Sequence, residues 1–180
     1  MLGVGIGWLQ EEFEALGVPW EDRGARTDEY VEVMRTLWRD HLAEHHGRYV
    51  DFMPVRCDPH PANGTSIPVH IGGHHLAAAR RAGRIGDGFF PAIYPNSAVP
   101  DRLPVLIDTM KKAAREAGRS EADIQITSGG ARTAEAAKWY VDLGVHRLVI
   151  QARSRDQTSL REELERFSDE VIQRVPQTPI

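Results

Sequence analysis

The sequence predicts an α/β chain with parallel strands, and three observations predict it. Strand-like and helix-like segments alternate along the chain. The stretch Ile67 to Phe90 holds a whole β–turn–α–β unit, with a β-branched run, a turn, an Ala- and Arg-rich helix and a second strand. A Gly-Gly pair, Gly72-Gly73, stands where the first of those strands opens into the helix. Alternation of this kind calls for parallel strands joined by right-handed crossovers.

Taken in order, Leu2 to Ile6 alternates glycine with aliphatic residues and reads as a buried strand that starts abruptly, almost at the first methionine. Trp8 stands where a dinucleotide fingerprint needs a glycine, so the run Gly3-Val4-Gly5-Ile6-Gly7 points to close backbone approach at a strand end instead. Thr27 to Asp40 places Tyr30, Val31, Val33, Met34, Leu37 and Trp38 at the spacing of a helix with one buried face, capped by Thr27. Gly47 to Ser66, with Pro54, Pro59, Pro61, Tyr49 and Phe52, reads as a long excursion holding a short hairpin.

The central unit then supplies a strand at Ile67 to Ile71, a helix at Leu76 to Arg84 and a strand at Arg84 to Phe90. Val99 to Ala117 is helical through Leu103, Leu106, Ile107, Met110 and Ala114 and stops at Gly118. Ile124 to Thr127 is a strand, Thr133 to Leu143 a helix ended by Gly144, Val145 to Gln151 a strand, and Ser159 to Arg174 a last helix before Pro176. That gives five strands and five helices. A (β/α) barrel needs eight of each in about 250 residues, whereas a doubly wound sheet can stop at about five. Pattern alone leaves both open.

Composition narrows the function classes. The chain of 180 residues is long enough for one domain, 1–180, with a substantial core. A net charge of -4 with acids and bases interspersed offers no basic stripe, so no nucleic-acid partner is expected. The single cysteine, Cys57, cannot form an internal disulfide and reads as a reduced, cytoplasmic thiol. Met1 to Ile6 is apolar but short and soon followed by Glu11 and Glu12, hence neither signal peptide nor membrane span.

The chemistry-bearing candidates each have a plain structural alternative. A Gly-Gly pair between strand and helix leaves backbone N–H groups and the positive helix end facing outward, a phosphate seat; it can also be a mere turn. His41 and His45 are spaced i, i+4 on a helix and His74 and His75 are adjacent, yet no third ligand follows at a metal-site spacing, so no metal is expected. Arg80, Arg81 and Arg84 read as a solvated helix face and Asp87 as a turn or cap residue. Of the tryptophans, Trp38 and Trp139 fit packing positions, and Trp8, at a strand's carboxyl end, suits a stacking role.

Several motifs occur together in order: Gly3-Val4-Gly5-Ile6-Gly7-Trp8, Glu12-Phe13, Gly17-Val18-Pro19-Trp20 with Arg23, Arg26, Glu29 and Tyr30, Leu37-Trp38, Gly47-Arg48-Tyr49, Ile71-Gly72-Gly73-His74, Gly86-Asp87-Gly88-Phe89 and Leu143-Gly144-Val145-His146-Arg147. With them the chain resembles the bacterial luciferase-like flavin and deazaflavin oxidoreductases over nearly its whole length. The resemblance implies a partial (β/α)8 TIM barrel, strands four to eight with their helices, the first three strand–helix units being absent. It implies cofactor contacts at Ile6, Gly7 and Glu11, and phosphate contacts at Gly73, His74, His75, Ala77 and Ala78. The family's active-site acid or histidine falls on the absent strands, so no catalytic residue is named.

The implied function is hydride transfer to or from a small organic substrate, with a deazaflavin coenzyme of the 8-hydroxy-5-deazaflavin type favoured over FMN, and activity impaired by the missing units. A sugar-phosphate substrate is not supported, because the acid expected at Trp8 and the lysine expected near Pro95 are not there. The alternative is a non-catalytic coenzyme- or phosphate-binding remnant. Either way, unpaired edges at Leu2 to Ile6 and Arg147 to Gln151 lead to the expectation of a homodimer.

Overall fold

A computed structural model describes residues 1–62, 66–91 and 102–175. The chain divides into two compact units, Met1–Ile71 and Gly72–Ile180. The α/β class is as expected, and the strands pair in parallel apart from one hairpin.

In the first unit β1 (Leu2–Val4) is followed by α1 (Gln10–Ala15), α2 (Arg23–Arg39), β2 (Ala43–His46), β3 (Asp51–Val55) and β4 (Val69–Gly72). β1 and β4 run parallel with Leu2 opposite Val69 and Val4 opposite Ile71. Val69 and Ile71 are fully buried, as strands covered on both faces must be.

α2 begins a turn before the expected Thr27. Asp22 stands at the N-cap and its carboxylate takes the Arg26 guanidinium one turn on. Thr27 lies inside the helix, its hydroxyl donating to the Arg23 carbonyl at 2.8 Å, a bond open to a mid-helix threonine. The predicted face is buried at Val31 and Val33 and half-buried at Met34, Leu37 and Trp38, while Tyr30 turns outward.

The hairpin exists but begins before Gly47, with His45 opposite Phe52 and His46 opposite Asp51. Asp40, in extended conformation, ends α2, so His41 and His45 do not share a helix face and the i, i+4 spacing has no ligating meaning. The turn of the hairpin is held by Glu29, whose carboxylate accepts the N–H groups of Arg48 (3.1 Å), Tyr49 (2.7 Å) and Val50 (2.8 Å). Desolvation pushes the Glu29 pKa up, but the three N–H donors and His45 outweigh it and hold the carboxyl below its ordinary range.

The second unit contains α3 (Leu76–Ile85), β5 (Gly88–Phe90), α4 (Leu103–Glu116), β6 (Gln125–Gly129), α5 (Ala134–Asp142), β7 (Arg147–Val149) and α6 (Gln157–Glu170). β5, β6 and β7 are parallel, with Phe89 opposite Ile126 and Ser128 opposite Leu148. The predicted start of the α4 helix at Val99, like Pro95, lies outside the described residues. Thr133 caps α5 by accepting the Ala136 N–H at 3.2 Å, and Asp156 caps α6 through Ser159 N–H at 2.9 Å, two residues earlier than the period suggested.

The core of this unit is Phe89, Leu103, Leu106, Met110, Ile124 and Ile126. α3 and α4 approach so closely that a Cβ on Gly83 would lie 2.3 Å from the Met110 carbonyl oxygen. Arg119, just past α4, donates to the Gly83 and Gly86 carbonyls at 2.7 Å each, closing the carboxyl end of α3. The same guanidinium stands 3.8 Å from Asp87, which lies in the bend between α3 and β5. Arg81 is buried at 7% exposure while Arg80 and Arg84 are exposed, so the basic run is not wholly a solvated face. Among the described residues no helix is long and apolar enough to cross a membrane.

Candidate functional site

Two groups of expected site residues can be placed, one in each unit. In the first unit Ile6 and Gly7 follow β1 directly, and Glu11 occupies the first turn of α1. Ile6 is half-buried, Gly7 and Glu11 are exposed, and Trp8 between them is 84% exposed. The Phe13 ring lies against Gly7, where an added Cβ would come within 2.6 Å of it, and Phe13 meets Trp20 edge-on at 5.1 Å between ring centroids. The Arg23 guanidinium covers Trp20 at 3.5 Å from its centroid. The strand end is thus backed by an aromatic pair, and Trp8 stands clear of it.

In the second unit the chain leaves β4 through Gly73 at φ +133, a conformation that side chains disfavour, and enters α3 at Leu76. Gly73 N–H is donated to the Phe90 carbonyl at 3.1 Å, and the N–H groups of Ala78 and Ala79 go to the His75 carbonyl. Between them the backbone N–H groups of His74, His75, Leu76 and Ala77 have no hydrogen-bond partner among the described residues. His75 and Ala77 are exposed, His74 is half-buried, and Ala78 is buried beneath the turn. A run of N–H groups at the start of a 10-residue helix is an anion-binding arrangement, with the helix dipole adding to it.

The two imidazoles lie together, ring centroids 4.3 Å apart. Burial, then the neighbouring His75 and Arg102, pushes the His74 pKa below its ordinary value. A neutral His74 still offers one N–H to a phosphate oxygen. Among the described residues no cluster of three His, Cys, Asp or Glu side chains could hold a metal ion.

Sequence reasoning missed a second polar centre at the carboxyl ends of β6 and β7. Gly129-Gly130 leads from β6 toward α5 as Gly72-Gly73 leads into α3, and that repeated pair was the available signal. Arg132 in this turn bonds the Gln151 carbonyl and reaches Glu163 of α6 at 3.1 Å. Glu163 also accepts the N–H groups of Arg153 (3.0 Å) and Ser154 (2.9 Å) in the loop after β7. Nothing in the spacing of Arg132, Ser154 and Glu163 announces this latch.

The Ser154 N–H and hydroxyl, then Arg132 and the Arg153 N–H, lower the Glu163 pKa from 4.5 to about 2. A carboxylate depressed in the folded state contributes stability that is complete above its unfolded value and lost as pH falls toward its folded one. Urea midpoints measured from pH 7 to pH 2 should therefore show a Glu163→Gln variant below wild type at neutral pH, with the gap closing between about pH 5 and 2. A gap that stays constant across that range would contradict the latch.

The comparisons with known proteins agree with the fold. The luciferase-like monooxygenase family matches residues 1–169. An uncharacterized protein of Mycobacterium tuberculosis is 34% identical over 184 residues, covering 97% of this chain and 61% of its own. The F420-dependent glucose-6-phosphate dehydrogenase of Nakamurella multipartita is 34% identical over 124 residues, 64% of this chain and 34% of that protein. The FMNH(2)-dependent dimethylsulfone monooxygenase of Pseudomonas putida is 29% identical over 92 residues, 49% of this chain and 25% of that protein. The chain thus spans about three-fifths, 61%, of the length of the mycobacterial relative.

Among solved structures, the coenzyme F420 dependent tetrahydromethanopterin reductase of Methanopyrus kandleri superposes with a TM-score of 0.74, at 15% identity, covering 97% of this chain and 74% of that one. At that identity the likeness speaks for the fold alone, that of the TIM-barrel luciferase-like enzymes. By the match over residues 1–169, the chain belongs to the luciferase-like monooxygenase family.

Proposed function

We propose that the chain binds a deazaflavin coenzyme in preference to FMN and takes part in coenzyme-dependent oxidation or reduction of a small organic substrate. The observation that carries this reading is the run of N–H groups from His74 to Ala77, unpartnered among the described residues, behind which α3 directs its positive end. Bound there, the coenzyme would supply the hydride chemistry, and the protein would supply position and electrostatics. His74, His75 and the α3 turn hold the phosphate end, and Gly73 fixes the turn. Relatives of both coenzyme types share the family; the 34% identity to an F420-dependent enzyme against 29% to an FMNH(2)-dependent one supports the deazaflavin.

Calorimetric titration with F420 and with FMN tests it, alongside a His74→Glu, His75→Glu double variant. Carboxylates at a helix N-terminus favour the helix, so the variant should fold while repelling a phosphate. F420 is expected to bind the wild type more tightly than FMN does, and the variant at least about tenfold more weakly, or ~1.4 kcal/mol. Equal heats from wild type and variant would remove the phosphate seat from this turn. Tighter binding of FMN would reverse the coenzyme preference.

A further inference from the structure

The α3 turn gathers two imidazoles and no carboxylate, so its charge is one-sided. His74 and His75 stand side by side, ring centroids 4.3 Å apart, on the turn where the helix end already presents positive charge. The first turn of α3 holds no acidic residue, and among the described residues neither imidazole has a carboxylate at ion-pair distance, unlike His45, His46 and His60. The charged groups that act on His74 are His75 beside it and Arg102 at the head of α4, both of its own sign. With burial, the larger cause, they hold its pKa below the ordinary histidine value.

An anion on the turn reverses that balance. It brings to His74 the opposite charge that its surroundings lack, and an opposite charge within about 4–6 Å favours the ionised form by about one pH unit or more. Binding and protonation then strengthen each other by linkage.

We propose that the α3 turn captures its anion together with a proton, which His74 takes up beside His75; the proposal rests on the coenzyme seat described above. The proton comes from solvent to the free ring nitrogen of His74 and returns there on release, and no covalent bond forms or breaks. Above the anion-bound pKa His74 is neutral whether the seat is filled or empty, and affinity lies on its lower plateau. As pH falls through the bound and then the free value, affinity climbs, tenfold for a shift of about one unit.

Histidine ring NMR, with signals assigned from single His74→Gln and His75→Gln variants, reads the protonation directly. Titrations are run on the protein alone, with saturating sulfate, which stays a dianion throughout, and with saturating F420. His74 is expected to titrate about one unit higher with F420 and to move in the same direction with sulfate. F420 should bind about tenfold more tightly at about pH 5 than at about pH 8. His74→Gln should lose that gain while still binding at the higher pH, and since the coenzyme's own titration is common to both proteins, the difference belongs to His74. F420 bound with His74 unmoved overturns the coupling and leaves the coenzyme reading standing. Sulfate raising His74 while F420 binds nowhere upholds the proton-coupled seat and overturns the coenzyme reading. A shift confined to His75 overturns the assignment to His74, and binding of neither anion overturns both readings.

Discussion

A Gly83→Ala variant is expected to lose about 3 kcal/mol of stability, the upper part of the range for an overpacked core. The sign is the informative part. In an isolated helix, alanine in place of glycine is favourable by up to about 1 kcal/mol, and Gly83 lies in the last turn of α3. Here an added Cβ would lie 2.3 Å from the Met110 carbonyl oxygen, 2.8 Å from the Ala113 Cβ and 2.8 Å from the Ala114 backbone nitrogen. Two of those three are backbone atoms in the middle of α4, which no side-chain rotation can move aside. The helices would have to separate, and with them Met110, Ala113 and Ala114, all buried. A loss of that size should lower Tm by about 6–12 °C in a chain of this length. A variant as stable as the wild type in urea would show that α3 can slide along α4 without cost, and the close crossing would not be what fixes their distance.

Gly83 shows where sequence reading stops. The alternation of strands and helices was legible because each element has its own period, and the buried faces of α4 at Leu103, Leu106, Ile107 and Met110 followed directly from that period. Which glycine serves a turn and which serves a helix crossing depends on a partner 27 or more residues away, and no local pattern contains it. The same holds for Arg119, which reaches back to Gly83 and Gly86, and for Glu29, which binds a hairpin turn some 20 residues on. The error over His41 and His45 has a related origin: an i, i+4 spacing means proximity only if the helix continues, and α2 ends at Arg39.

The candidate site was legible to a different degree. Gly72-Gly73 between a β-branched run and an Ala-rich helix placed the α3 turn to within a residue or two, because strand, turn and helix each leave a local mark. What the sequence left open was whether the turn only reverses the chain. The structure adds that Gly73 and Ala78 have committed N–H groups while, among the described residues, the four between them do not. That distribution depends on Phe90, a residue of the next strand, which supplies the acceptor for Gly73.

Gly73→Ala should therefore damage stability and coenzyme binding together. A side chain at φ +133 is strained whatever the space around it, and the new Cβ would stand 2.8 Å from the Ala78 Cβ, itself buried under the first turn of α3. Left-handed backbone costs an L-residue roughly 1–2 kcal/mol, and relief of the contact requires either Ala78 or the turn to move. If the turn moves, the Phe90 carbonyl loses its 3.1 Å donor and the N–H groups from His74 to Ala77 shift with the turn. The expected result is about 2 kcal/mol less stability by urea titration, together with coenzyme affinity lowered by at least about tenfold. A Gly73→Ala, Ala78→Gly double variant separates the causes, since it removes the Cβ contact and keeps the backbone strain: it should regain part of the stability but little of the affinity. Coenzyme binding unchanged in the single variant, with stability reduced, would mean that this turn matters to folding and that the coenzyme phosphate is held elsewhere.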